Sequence, residues 1–278
     1  MTTIAELLEW AKEALIKHDV PQLEAQVLLA YVLGCDRAYL YAWPEKEVSE
    51  ENVKQFEAII RRREQHEPIA YLVGNKEFWS LAFKVSKDTL IPRADTELLV
   101  QTVLDNLPQT MQSVVDVGTG CGIIACTLAH QRPNWQVYGV DISAQALEIA
   151  RINAHDLHIS NVEFIESNWL QNLKGKSFDA IIGNPPYIRE GDVHLIHGDL
   201  LYEPKIALTP GPTGLEAFQI ILSQCPFYLK PKGLIAFEHG FDQADKVAEL
   251  LTRAGFENIK TFQDFSGNQR VTIGRFSS

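Results

Sequence analysis

Asn184, Pro185, Pro186 and Tyr187 close the apolar run of Ile181, Ile182 and Gly183, and together they offer fixed hydrogen-bond acceptors beside an aromatic ring. A carboxamide or aromatic-amine nitrogen is a poor nucleophile because its lone pair is delocalised into the π system. A site that alkylates such a nitrogen must work against that delocalisation. The Asn184 side-chain oxygen and a main-chain carbonyl such as that of Pro185 can take the two N–H bonds, orient the nitrogen and favour localised electron density as the new bond begins. Prolines fix φ and remove competing N–H donors, while Tyr187 offers a ring to pack on a flat substrate group. Holding the nitrogen in line with an electrophile then acts through proximity, and this chemistry requires neither a metal nor a strong base in the ground state. A rigid turn capping a strand would use the same residue types, so the tetrapeptide has to be weighed with its neighbours.

Residues 116–122, Asp-Val-Gly-Thr-Gly-Cys-Gly, place Gly118, Gly120 and Gly122 between a strand-like run and a helical one. Glycines there let backbone amides approach a ligand closely. A dinucleotide fingerprint would want its third glycine at 123, where Ile123 stands, and the Gly-Lys-Ser/Thr of a phosphate-binding loop is missing. The loop suits instead a nucleoside whose charged end is an amino acid, with Asp141 at the next strand end accepting from both ribose hydroxyls. S-adenosylmethionine has that anatomy. Trp169, just past the third strand-like run, is placed to flank an adenine ring.

These residues need a scaffold that brings strand ends together. From Thr96 onward, short Val/Ile/Phe-rich runs alternate with helical patterns, which predicts parallel strands with right-handed crossovers in a doubly wound α/β sheet whose ligands sit at the strands' C-terminal ends. The tips to inspect are 116–122, Asp141, 167–169 and 184–187. A final antiparallel pair is expected around Ser266 to Asn268. Before Thr96 the pattern differs. Ile4, Leu7, Leu8, Ala11, Ala14 and Leu15 recur at helical spacing, as do Leu23, Val27, Ala30 and Tyr31 behind Pro21, and Val53, Phe56, Ile59 and Ile60 behind Ser49 as N-cap. The expected division is a helical N-terminal domain over 1–72, a β-hairpin linker over 73–92 and an α/β domain over 93–278.

Bulk composition narrows the partners. At 278 residues and 46% hydrophobic the chain buries a full core, and a net charge of -11 disfavours a polyanion, so no direct nucleic-acid contact is expected. Cys35, Cys121, Cys126 and Cys225 show no zinc spacing and are expected as buried thiols in a reducing compartment. The N-terminal segment carries acids within its apolar pattern, unlike a signal peptide, and no run of about 18 apolar residues occurs. The expectation is a cytoplasmic protein with no membrane partner.

At the quoted blocks the chain resembles the release factor glutamine methyltransferase family (PrmC/HemK). The likeness runs through "EPIAYLVGNKEFW" at 67–79, "TLIPRADTE" at 89–97, "DVGTGCGIIA" at 116–125, "GNPPYI" at 183–188 and "YEPKIAL" at 202–208. Asn-Pro-Pro-Tyr also occurs in enzymes that methylate adenine N6 or cytosine N4, and the flanking blocks make the match specific. The resemblance implies a seven-stranded, Rossmann-like S-adenosylmethionine-dependent methyltransferase domain with a helical N-terminal domain. It implies that Gly118, Thr119, Gly120, Cys121, Gly122, Asp141, Trp169 and Asn184 contact the methyl donor, and that Asn184, Pro185, Pro186 and Tyr187 hold a glutamine side chain. It further implies methylation of the N5 amide nitrogen of the glutamine in the Gly-Gly-Gln motif of class 1 peptide-chain release factors. Arg93 and Glu97 enter as secondary candidates near the cofactor. Ala94 and Lys232 depart from the family's usual proline and glycine, and neither removes a group assigned to chemistry.

Three alternatives stay open at this level: an N6-adenine or N4-cytosine nucleic-acid methyltransferase, a glutamine methyltransferase acting on a ribosomal protein, and a binding module that keeps the fold without activity. His194 and His197, flanked by Asp192 and Asp199, are weighed as metal ligands and set aside, so no metal is expected. Arg61, Arg62 and Arg63 are expected as a solvated helix face, and Glu203 and Glu238 carry no spacing that would pair them.

Overall fold

Thr3 and Glu6 open the chain's first helix as a reciprocal capping box: Thr3 N–H donates to Glu6 Oε2 at 2.8 Å, and Glu6 N–H to Thr3 Oγ1 at 3.3 Å. Helices α1 (Ile4–Ala14), α2 (Pro21–Leu33), α3 (Arg37–Ala42), α4 (Glu50–Arg63) and α5 (Ile69–Val73) follow one another. Pro21 occupies the first turn of α2, and Ser49 Oγ accepts from Asn52 N–H at the start of α4. The computed structural model describes residues 2–196 and 198–277, without the His194 side chain. Its contacts divide the chain into two compact units, Met1–Asn75 with Gly198–Tyr202, and residues 76–197 with 203–278.

The first unit closes around Ile4, Leu7, Leu28, Leu29, Phe56 and Ile60. The expected stripe of α2 is corrected here, because Leu23 and Tyr31 face outward while Glu24, Ala25, Leu28 and Leu29 are buried. The helix carries apolar residues nearly all round, so its periodicity left the inward face undecided. Arg63 decides it: buried against the expectation of a solvated cluster, it donates to both Glu24 carboxylate oxygens at 2.8 and 3.0 Å and to Asp199 Oδ1 at 2.9 Å. Arg61 and Arg62 do stay exposed. Tyr202 adds a hydrogen bond from its hydroxyl to Gln65 O at 2.6 Å, so the short 3-10 helix Gly198–Tyr202 belongs with these helices.

The second unit begins with a hairpin, β1 (Asn75–Phe78) and β2 (Leu81–Lys84). The hairpin packs on the helix Ala144–Asp156 through Lys84, whose N–H and carbonyl both bond the Asn153 side chain, at 2.7 and 3.0 Å. Next come α6 (Thr96–Asn106), β3 (Ser113–Val117), α7 (Ile123–Gln131), β4 (Gln136–Asp141), α8 (Ala144–Asp156), β5 (Val162–Glu166) and β6 (Phe178–Gly183). The short α9 (Lys205–Leu208), then α10 (Glu216–Gln224), β7 (Leu229–Glu238), α11 (Ala244–Arg253), β8 (Phe256–Gln263) and β9 (Gln269–Phe276) complete it. Seven strands form one sheet in the order β5-β4-β3-β6-β7-β9-β8, parallel through β7 and antiparallel beyond it. The order reverses between β3 and β6, which opens the crevice where such sheets take ligands. Val115, Val117, Val140, Ile181, Ile235 and Phe237 fill the core on the sheet. Among the described residues no helix is long and apolar enough to cross a membrane.

Candidate active site at the strand tips

The turn after β3 carries three left-handed glycines, Gly118, Gly120 and Gly122, with φ of 73°, 56° and 84°. Such φ values strain any residue with a Cβ. Space adds a second restriction at Gly122, where a Cβ would press on Ala150 at 3.0 Å, while one on Gly118 would make only an ordinary 3.5 Å contact with the Trp169 ring. Beneath the turn, Asp116 is fully buried, and its Oδ2 accepts from Thr119 Oγ1 at 2.5 Å and from Ala125 N–H at 3.3 Å. Burial pushes its carboxyl up to about 7, the two hydrogen bonds opposing that rise and the charge of Asp141 adding to it.

Asp141, at the end of β4, accepts from Gly120 N–H through Oδ2 and from Ser143 N–H through Oδ1, each at 2.9 Å. Burial raises its pKa while these N–H groups resist the rise. The carboxylate thus ties the glycine turn to the start of α8 and keeps further lone pairs for a ligand.

Asn184 and Pro186 at the tip of β6 share one cleft with Gly118, Gly120, Asp141 and Trp169. The cleft measures about 380 Å³, and its apolar lining includes Ile206 and Ala207 of α9 with Ala217 and Ile220 of α10. Thr119, Cys121, Gly122, Pro185 and Tyr187 do not line it. Thr119 and Cys121 are buried, the Cys121 carbonyl accepting from Asn153 Nδ2 at 2.9 Å, and the Tyr187 ring packs on the core. Burial raises the Tyr187 hydroxyl pKa, and its carbonyl accepts from Gln243 Nε2 at 2.9 Å, so the tip is held from behind. Gly183 is required by packing, since a Cβ would meet Val117 Cγ2 at 2.8 Å and Val117 O at 2.9 Å.

Two groups stand beside Asn184: Thr96, to which the sequence reading gave no role, and Glu238, which it set aside for lack of a paired acid. Asn184 Nδ2 donates to Thr96 Oγ1 at 3.3 Å, and the buried Glu238 carboxyl at the end of β7 faces both side chains. Thr96 lies inside the quoted "TLIPRADTE" block and Glu238 at a strand tip, which were the available signals. Glu203, also passed over, is buried with its carboxylate on Ile91 N–H at 2.9 Å and on the Arg93 guanidinium, so Arg93 is held by an ion pair. Glu97 Oε1 accepts from Trp79 N–H at 2.8 Å and anchors the hairpin turn. His194 and His197 lie outside the described side chains. The described residues contain no group of three or more His, Cys, Asp or Glu placed to hold a metal.

Residues 6–74 match the family model of the PrmC N-terminal domain, and residues 92–213 that of a methyltransferase small domain. A methyltransferase from Pyrococcus furiosus superposes with a TM-score of 0.54 at 19% identity, covering 80% of this chain and 98% of its own. A ribosomal protein L11 methylase from Lactobacillus delbrueckii subsp. bulgaricus does so at 0.52 and 18%, covering 70% and 84%. These two carry the fold alone. Similar full-length relatives include proteins named release factor glutamine methyltransferase. That of Shewanella oneidensis is 44% identical over 275 residues, 98% of this chain and 96% of its own. That of Pseudomonas aeruginosa is 43% identical over 277 residues with both chains fully covered, and that of Escherichia coli 38% over 274, covering 98% and 99%. With such identity along nearly the whole chain, on a methyltransferase fold whose strand tips converge on one cleft, the chain belongs to the release factor glutamine methyltransferase family.

Proposed function

We propose that the protein methylates the N5 amide nitrogen of the glutamine in the Gly-Gly-Gln motif of class 1 peptide-chain release factors, with S-adenosylmethionine as donor. The residues of the cleft fit that donor. Gly118 and Gly120, both at positive φ, leave a stretch of bare backbone on the cleft beside the Trp169 ring, and Asp141 lines the same cleft with acceptor capacity for ribose hydroxyls. Gly118, Gly120, Asp141 and Trp169 would hold the donor, whose sulfonium supplies an electrophilic methyl group when bound. Thr119, Cys121 and Gly122 support it from behind by holding the turn.

The observation that carries this reading is Asn184. It is the one tip residue of β6 that combines a place on the cleft wall with an amide whose nitrogen end is already engaged, by Thr96. Its Oδ1 is thereby left to accept from a substrate NH2; the second acceptor is assigned to the Pro185 carbonyl, which a substrate would have to reach past the Asn184 and Pro186 that line the cleft. Gripping both hydrogens of a flat carboxamide favours the localised lone pair that bond formation needs and holds the nitrogen in line. Full-length relatives named for release factors support the substrate assignment.

Radiolabelled methyl transfer tests the proposal with three acceptors: a class 1 release factor, the same factor with its motif glutamine replaced, and duplex DNA. Label should appear only on the first. Label on DNA alone, or equal label on both forms of the factor, refutes it.

A further inference from the structure

Glu238 is 1% exposed at the end of β7, the strand paired with β6. Burying a carboxyl costs free energy unless its oxygens are satisfied, and Glu238 Oε2 has no hydrogen-bond partner. The side chains that face the group are the Thr96 hydroxyl and the Asn184 amide, and these two also bond each other through Asn184 Nδ2.

Donor and acceptor counting gives this triad a direction. An ionised carboxylate only accepts, so it draws the single hydrogen of the Thr96 hydroxyl that faces it. The hydroxyl then has only lone pairs to offer Asn184, and only the Nδ2 end of an amide can donate to them. The carboxylate draws that same end. Both partners thus favour the Nδ2 end of the amide, which leaves Oδ1 as the end free for a substrate. Resting on the role given to Asn184 above, we propose that Glu238 and Thr96 are positioning residues for methyl transfer. They select which end of the Asn184 amide meets the substrate, presenting Oδ1 to its NH2 and withholding Nδ2, whose hydrogens would repel it.

The selection depends on the charge of Glu238. Burial pushes its carboxyl up to about 7, opposed by the Thr96 hydrogen bond, raised further by Asp95, and opposed again by Arg270 and the Asn184 hydrogen bond. Arg270 itself is shared with Asp95 at 3.3 Å and Asp264 at 3.2 Å. Once protonated, Glu238 can donate, the hydroxyl can reverse, and the amide loses its preferred end. The rate of transfer therefore rises with pH through about 7.

Steady-state methylation of a release factor across this pH range, with cofactor affinity measured by calorimetry, tests the assignment. Glu238→Gln and Thr96→Val should lower kcat by about ten- to a hundredfold with KM and cofactor affinity little changed, and Glu238→Gln should lose the rise near pH 7. Thr96→Ser, which keeps the hydroxyl, should recover most of what Thr96→Val loses. Wild-type kcat and an unchanged pH profile in Glu238→Gln overturn the proposal. Equal losses in Thr96→Val and Thr96→Ser overturn it too, and that pair serves if Glu238→Gln fails to fold. Asn184→Ala, assayed alongside, separates the two readings: turnover there would sink the role of Asn184 itself, whereas a dead Asn184→Ala beside a fully active Glu238→Gln would sink only the positioning.

Discussion

Asp116 and Glu238 are two buried carboxyls on strands of the same sheet, both pushed up to about 7 by burial and each keeping one oxygen without a partner. They differ in what they hold. Asp116 takes its hydrogen bonds from Thr119 in the turn that follows and from Ala125 in the first turn of α7, and so shapes the backbone that carries Gly118 and Gly120. Glu238 faces Thr96 at the start of α6 and Asn184 at the tip of β6, two side chains from distant parts of the chain. A carboxyl with local partners builds a cradle, while one with distant partners aims a functional group. The price of burial is the same in kind at both sites, and the return differs.

Perturbing each side of that contrast should have effects of different type. The largest is expected for Asn184→Ala, which removes the acceptor that Glu238 aims. Turnover should fall by about a hundred- to a thousandfold, with cofactor affinity reduced only a few fold by calorimetry. Wild-type turnover would end the contrast, since nothing would remain to be aimed.

The next concerns stability. The Asp116 carboxyl binds its proton more tightly in the folded chain, about 7, than in the unfolded chain, 3.8. Its contribution to stability is therefore greatest below about pH 4 and is lost as pH rises through about 7. Asp116→Asn cannot ionise, so its stability relative to wild type should improve by about 2–4 kcal/mol between pH 4 and 8, read from urea unfolding at a series of pH values. Parallel stability curves would mean that Asp116 does not titrate with folding.

The smallest effect is assigned to Asp141→Ala. Losing a charged acceptor for the ribose should weaken cofactor binding by about ten- to a hundredfold, with kcat at saturating cofactor much less affected. Unchanged affinity would remove Asp141 from the site and leave it only as the tie between Gly120 and Ser143.

The glycine turn and the Asn-Pro-Pro-Tyr tip were both legible before the fold was known, because each is a run of adjacent residues whose types restrict the backbone. The same holds for the seven-stranded α/β sheet, whose strands alternate with helical patterns, and for the caps at Pro21 and Ser49. What could not be read is which way individual residues face. Cys121 and Tyr187 belong to motifs that point at a ligand, yet their side chains turn to the core. Leu23 and Glu24 exchange the places that hydrophobicity assigns them, because Arg63, far along the chain, neutralises the buried acid.

The amino-acid sequence by itself determined the local elements, the strand tips that meet in one cleft and the family, since periodicity, glycines and prolines act on neighbouring residues. Tertiary structure alone decided the pairings of Glu238 with Thr96 and Asn184, of Glu203 with Arg93 and of Glu24 with Arg63. A buried charge is stabilised by whatever partner the folded chain brings within hydrogen-bond reach, and sequence spacing holds no record of contacts made across so many residues.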